Sequence, residues 1–402
     1  MKRALAIALC AAIYVRAILV PSWEEVTRRK SGSDFATYHY AALVAQDGGD
    51  PYDTAALSAR ASAEHTRQEV HPYFYPPPFL IGMSWDRGLS LVAAYRAAFW
   101  INQAALLAGL ALCWAWFGAP PLLLAGLAIL YTPFANNIEM GQANLPILAL
   151  SLLGLWRGSG TLVGAAAMGK MSPALYLAMW AGQRRWRPVL VAMGTAVALS
   201  LLSLPWVGLD AQIRFYTQVL PRFAGGPYHD LTVPITLEAN HSVADLYNQL
   251  WPGPDGFTLS RAARVATSAT TLGLLGGLVA LARRPMDRLQ QANLAGAFTV
   301  LLLVTPVYTY EHHLVVLMLP LAALGTALWT RRPPAWVWVA AALAFFCVAH
   351  PLMWRERLQR ELPALAWVFR EWKFFGTVAV GALCAWVAAR VDKRAGSVIE
   401  SS

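Results

Sequence analysis

Residues 160–182 read GTLVGAAAMGKMSPALYLAMWAG, an apolar run of membrane-span length with a lysine and a proline at its centre. About 20 consecutive apolar residues suffice to cross a bilayer as a helix. Pro173 lacks a backbone donor and disfavours helix at the residue before it. The run is therefore expected to break at Gly169-Lys170-Met171-Ser172-Pro173, as two half-helices that enter and return with Lys170 at the tip. Non-helical backbone at that depth is tolerated only where it is buried in protein or lines a wet cavity.

The same reading extends along the chain. Apolar runs near span length also fall at roughly 4–20, 88–117, 119–134, 142–157, 187–206, 262–282, 290–306, 312–330, 334–350 and 373–390. The first follows Lys2-Arg3 and resembles a secretion signal. Arg16 interrupts it and no small-x-small cleavage site follows, so it is expected to be a retained first span. No soluble domain of substance remains beside the longest polar stretches, 21–87 and 207–261, and 1–402 is expected to be one transmembrane unit. Composition agrees: 13% of residues are charged and 57% hydrophobic. A soluble domain carries about 25% charged residues, so this chain has too little polar surface to face water. Cys10, Cys113, Cys347 and Cys384 sit singly in apolar runs, which argues against a disulfide framework or a zinc site.

The net charge of +10 does not mark a nucleic-acid binder, because the basic residues form no single face or tract. They cluster between apolar runs, at Lys2-Arg3, Arg184-Arg185-Arg187, Arg283-Arg284-Arg288, Arg331-Arg332 and Arg390-Lys393-Arg394. That is the positive-inside pattern. With the 160–182 run broken, every one of these clusters faces the cytoplasm. Residues 21–87, 135–141, 207–261, 305–312 and 351–372 then lie outside. The expected fold is an all-α polytopic membrane bundle of about ten spans plus a re-entrant helix pair, with short helices in the outer loops.

The unusual polar residues fall in those outer segments, so a site built from several of them belongs at the outer membrane face. In Ser33-Asp34-Phe35-Ala36-Thr37-Tyr38, helix would put Asp34 and Tyr38 one turn apart on one face. Alone, Asp34 reads as a helix N-terminal residue favoured by the macrodipole; the functional reading is a general base. Gly48-Gly49-Asp50-Pro51-Tyr52-Asp53 reads as a connector turn. Tyr73-Phe74-Tyr75-Pro76-Pro77-Pro78 is a stiff aromatic segment that either anchors at the interface or walls a lipid groove. Glu311-His312-His313 opens a span. Neighbouring side chains on a helix point about 100° apart, which speaks against a metal and for a role towards phosphate. Lys170 reads the same way, since a lysine at membrane depth is costly. Arg16 and Arg96, near the outer ends of spans, are further phosphate candidates.

These stretches, in order, resemble the polyprenol-phosphate-mannose-dependent transferases of glycosyltransferase family 87, which are C-type (GT-C) membrane glycosyltransferases. The matching residues are Asp34-Phe35 with Tyr38 and Tyr40, Gly49-Asp50-Pro51-Tyr52-Asp53, and Tyr75-Pro76-Pro77. They continue with Asn137, Gly141-Gln142-Ala143-Asn144, Lys170-Met171-Ser172-Pro173, Asn240-His241-Ser242, and Thr305-Pro306-Val307 leading to His312-His313. The resemblance implies a GT-C-type bundle and an inverting transfer of a hexose, mannose in that family, at the outer face of the plasma membrane. Asp34 would be the base, and Lys170 with His312 or His313 would contact the donor phosphate. Tyr38, Tyr75, Asn137, Gln142, Asn144, Asn240 and His241 are the expected substrate-binding residues.

The expected partners are a polyprenyl-phosphate sugar, a glycolipid or glycan acceptor and the bilayer. No metal or other cofactor is expected, because the donor brings its own phosphate leaving group and fixed cations can stabilise it. Two other classes fit the sequence. A non-catalytic flippase or transporter of lipid-linked sugars needs no base. A ligase moving a whole glycan from a lipid diphosphate needs more outer cations.

Overall fold

The computed structural model describes residues 2–29, 32–65, 70–222, 233–350 and 355–390, and among these there are helices and no strand. Helix α1 (Lys2–Tyr14) continues through a π-turn into α2 (Val20–Arg29). The first outer segment holds α3 (Ser33–Gln46), α4 (Thr54–Ala63) and α5 (Phe79–Gly82). Asp53 starts α4 by accepting from the N–H groups of Ala55 and Ala56. Helix α6 (Leu91–Phe117) begins on a Ser90 cap and ends at Gly118 in the left-handed region.

Next come α7 (Pro121–Leu130) and α8 (Pro133–Met140), bent by 58° from one another. Within the 135–141 segment the chain is helical up to Met140, because a proline at the first helical position loses no bond the turn would otherwise make. Helix α9 (Asn144–Arg157) follows, then α10 (Gly160–Gly169) and α11 (Leu175–Gly182). Between the last two, Lys170 is extended and Ser172–Ala174 form a 3-10 turn, so helix does break at the glycine-to-proline stretch. Helix α12 (Trp186–Arg214) kinks at Gly208 and leads to α13 (Leu220–Arg222).

The second outer segment carries α14 (Val243–Leu250), and α15 (Arg261–Ala282) and α16 (Arg288–Val304) follow. A 3-10 turn at Glu311–Leu317 opens α17 (Met318–Arg331). The chain closes with α18 (Ala335–Ala349), α19 (Arg355–Glu361), α20 (Ala366–Arg370) and α21 (Trp372–Ala389).

By length and apolarity, five helical stretches among the described residues can cross a membrane: α6, α12 with α13, α15, Glu311–Arg331 and α21. The bent α7–α8 pair makes a sixth, and α9, α10 and α18 are shorter apolar helices. Helix α16 is the centre of the bundle. Its residues from Ala292 to Val304 are all buried, and α11, α17 and α21 pack around it. Helices α12 and α15 are the opposite case: Leu190, Leu201, Leu202 and Leu272 are exposed. Apolar side chains left outward along whole helices fit a lipid surround rather than water.

Candidate active site

A cavity of about 1210 Å³ opens among the described residues. Its walls come from α3, the 71–76 segment, the α8–α9 link, the α10–α11 break, α13, the start of α15 and residues 302–316. Most of these are outer segments of the sequence reading or the predicted break itself, while the start of α15 falls in the 262–282 run. Phe74, Tyr75 and Pro76 are part of the wall. The Gly48–Asp53 run is a connector: Asp50 pairs with Arg214 at 2.5 Å, and the Tyr52 ring lies against Phe215.

Asp34 faces the cavity from the first turn of α3. The side-chain amide of Gln142 donates to Asp34 Oδ2 at 2.6 Å. The oxygen of that amide accepts from the hydroxyls of Tyr38 at 2.7 Å and Tyr75 at 2.8 Å. Burial, then each other's proximity and Asp34, push the Tyr38 phenol well above its ordinary value, and burial does the same to Tyr75. Both phenols therefore stay protonated and keep donating. Tyr52 holds this corner from behind, its hydroxyl donating to the Tyr75 carbonyl at 2.7 Å.

Lys170 reaches the same cavity. Its ammonium donates to Asn144 Oδ1 at 2.7 Å and lies 5.6 Å from the centre of the Tyr75 ring. Asn144 also donates to the His312 carbonyl at 3.1 Å, which ties the lysine to the histidine turn. His313 Nδ1 accepts from the Tyr310 N–H at 3.1 Å, so a neutral His313 ring carries its proton on Nε2. The His312 ring stands edge-on to it, centroids 4.3 Å apart, and both line the cavity. Asp34, Lys170 and the His312 and His313 imidazoles thus share an apolar-walled space, which His71, Arg222 and Arg264 also line. That arrangement can take a proton from a hydroxyl and steady a leaving anion.

A family model described as glycosyltransferase family 87 matches residues 73–306, more than half of the chain. The chain belongs to glycosyltransferase family 87. It is a membrane glycosyltransferase. Over 363 residues it is 27% identical to the polyprenol-phosphate-mannose-dependent alpha-(1-2)-phosphatidylinositol pentamannoside mannosyltransferase of Mycolicibacterium smegmatis, covering 81% of this chain and 79% of that one.

The cavity of this family 87 protein does not gather every residue singled out in the sequence. Arg16 and Arg96 are exposed on their helices and do not line it. Neither do Asn137, Asn240 and His241. Asn240 donates to the carbonyls of Ile235 and Val307 and accepts from the Thr309 N–H, which clips the second outer segment to the loop before the histidines. Among the described residues, no three or more His, Cys, Asp or Glu side chains converge as a metal site.

Other lining residues escaped the sequence reading. Arg222 is buried at the end of α13, bonded to the Phe257 carbonyl and the Tyr308 hydroxyl, and Tyr310 lies beside Tyr308. A signal existed, since Arg222 follows Val219-Leu220-Pro221, a short apolar run inside the polar 207–261 stretch. It was hidden among the basic residues of a long loop.

Proposed function

We propose that this enzyme moves a hexose from a polyprenyl-phosphate sugar to a hydroxyl of a glycolipid or glycan acceptor, with inversion at the anomeric carbon. Mannose is the sugar we favour, because the Mycolicibacterium relative carries polyprenol-phosphate-mannose dependence in its name. The reaction belongs at the outer face of the plasma membrane, where the charge pattern puts the segments that wall the cavity.

The observation that carries this reading is Asp34 and Lys170 lining one cavity, with Gln142 fixed on the carboxylate and Asn144 on the ammonium. Asp34 Oδ1 takes the acceptor's proton as its oxygen bonds to the anomeric carbon. The bond from that carbon to the phosphate oxygen breaks, and its electron pair stays on the phosphate. Lys170 and the Nε2–H of His313, with His312 beside it, stabilise the charge that grows there. A single displacement of this kind inverts the centre.

Purified protein in detergent, given a polyprenyl-phosphate hexose and acceptor, tests it. The wild type is expected to form a glycosidic bond with no bilayer present, which a flippase would not. A general base contributes about 10²–10⁴-fold, so Asp34→Asn should lower turnover by about that factor while the protein keeps its melting behaviour. Equal turnover in the variant would remove the base assignment.

A further inference from the structure

Helix α6 carries a polar residue that the chemistry above does not use. Asn102 is buried, and it does not line the cavity. Its Nδ2 donates to the Ala98 carbonyl one turn back on its own helix, at 3.0 Å. Its Oδ1 accepts from Asn137 Nδ2 at 3.1 Å. Asn137 Oδ1 in turn accepts from Asn144 Nδ2 at 3.0 Å, and Asn144 Oδ1 accepts from Lys170 Nζ at 2.7 Å.

Each amide has one donating and one accepting end, so the direction of one dictates the next. Both ends of the row are pinned by groups with a single role. The Ala98 carbonyl only accepts, and the Lys170 ammonium only donates. The branches agree in sense: Asn137 Nδ2 also donates to the Gln142 carbonyl at 3.3 Å, and Asn144 Nδ2 to the His312 carbonyl at 3.1 Å. Turning any one amide would set like against like at several contacts and strand buried polar groups, which a low-dielectric interior penalises. Three asparagines from α6, α8 and α9 thus form one directed row that ends on the ammonium.

We propose that Asn102 is a positioning residue for Lys170, acting through Asn137 and Asn144 to aim the ammonium at the phosphate of a polyprenyl-phosphate ligand. This rests on the proposed reading of the cavity. If it holds, the row does its work through one charge, and its effect vanishes when that charge is removed. Interhelical amide bonds contribute little to membrane-protein stability, so loss of Asn102 should leave the bundle folded.

The test is a double-mutant cycle on binding of polyprenyl phosphate itself, without sugar, to purified full-length protein. Asn102→Leu should weaken binding about tenfold, as expected for a misplaced charge-assisted hydrogen bond. In a Lys170→Met background the same change should matter less than about twofold. Asn102→Ala repeats the cycle without the larger side chain, should Leu disturb packing. Unchanged binding in Asn102→Ala, or an equal loss with and without Lys170, would overturn the proposal. Transfer measured alongside separates the two ideas. A wild type that binds but never transfers refutes the proposed reaction, while the cycle still decides the relay.

Discussion

Gln142 Nε2 lies 2.6 Å from Asp34 Oδ2, and the amide that makes this contact cannot turn round. Its oxygen faces the hydroxyls of Tyr38 and Tyr75, which are themselves 2.7 Å apart. Two phenol protons serve three oxygen–oxygen contacts, so at most two are bonded at once, and the carbonyl is the one partner that can only accept. A reversed amide would point oxygen at carboxylate. Gln142 therefore presents a neutral donor to one oxygen of Asp34, and in the proposed reaction the other oxygen takes the acceptor's proton.

Replacing Gln142 by Leu should leave donor KM nearly unchanged and lower kcat by about 10²-fold, the order expected when a reacting group is misplaced by an ångström. Tyr38→Phe with Tyr75→Phe should cost less in the wild-type background and almost nothing in Gln142→Leu. Steady-state kinetics of the four proteins check this. Additive losses would mean that the tyrosines act on substrate directly.

Lys170→Met should act on a different constant. Methionine keeps an unbranched chain but removes the charge, and with it the ammonium's approach to the Tyr75 ring. Hydrogen bonds to charged groups contribute about 1.5–3 kcal/mol, so donor binding should weaken by roughly 10- to 100-fold. Acceptor KM should not move. Titrating donor and acceptor separately tells the two apart.

The sequence made most of this bundle legible because lipid and water sort residues so strongly. The runs at 88–117, 262–282 and 373–390 became α6, α15 and α21 within a few residues. Pro173 announced the break that delivers Lys170 to the cavity. The bend at Pro133 was less visible, since a proline that ends one helix can equally start the next. Asn102 was illegible for another reason. An Asn-Gln pair in a 27-residue apolar helix reads as a tolerated exception until α8 and α9 are seen beside it. His39 and Asp86 were hidden in the same way, since their 2.9 Å contact at full burial joins segments far apart in the chain.

The second outer segment should give the protein a pH-dependent stability. Asp245 on α14 is buried, and Gln249 Nε2 bridges it to Glu371, at 3.1 Å and 2.8 Å. Burial first, then the Glu371 charge, push the Asp245 carboxyl from 3.8 up to about 8, with Arg370 opposing. Between those values the folded state holds a proton that the unfolded chain has lost. Stability therefore falls as pH rises through that window and levels off above it. The melting temperature in detergent should be higher at pH 6 than at pH 8. Asp245→Asn, an amide in place of the protonated acid, should raise the value at pH 8 and flatten most of the slope. A wild type that gains stability from pH 6 to 8 would contradict this.

Gly141 precedes Gln142 and lies against Phe35, the neighbour of Asp34, and a methyl group there should separate the amide from the carboxylate. Its φ is +69°, and an added Cβ would come within 2.5 Å of Phe35 Cβ. Left-handed backbone costs a side-chain-bearing residue about 1–2 kcal/mol, and forced overpacking adds typically 1–3 kcal/mol. The clash has a direction, because Gly141 precedes Gln142 and Phe35 follows Asp34. Relief of it drives the amide and the carboxylate apart. Gly158 supplies the control. Its φ is +65°, but an added Cβ would meet only the tip of the Arg185 side chain, and it does not line the cavity. Both Gly141→Ala and Gly158→Ala should lower the melting temperature, while only Gly141→Ala should lower turnover of the protein that remains folded. Equal turnover in the two would mean that the spacing of Gln142 and Asp34 does not govern the reaction.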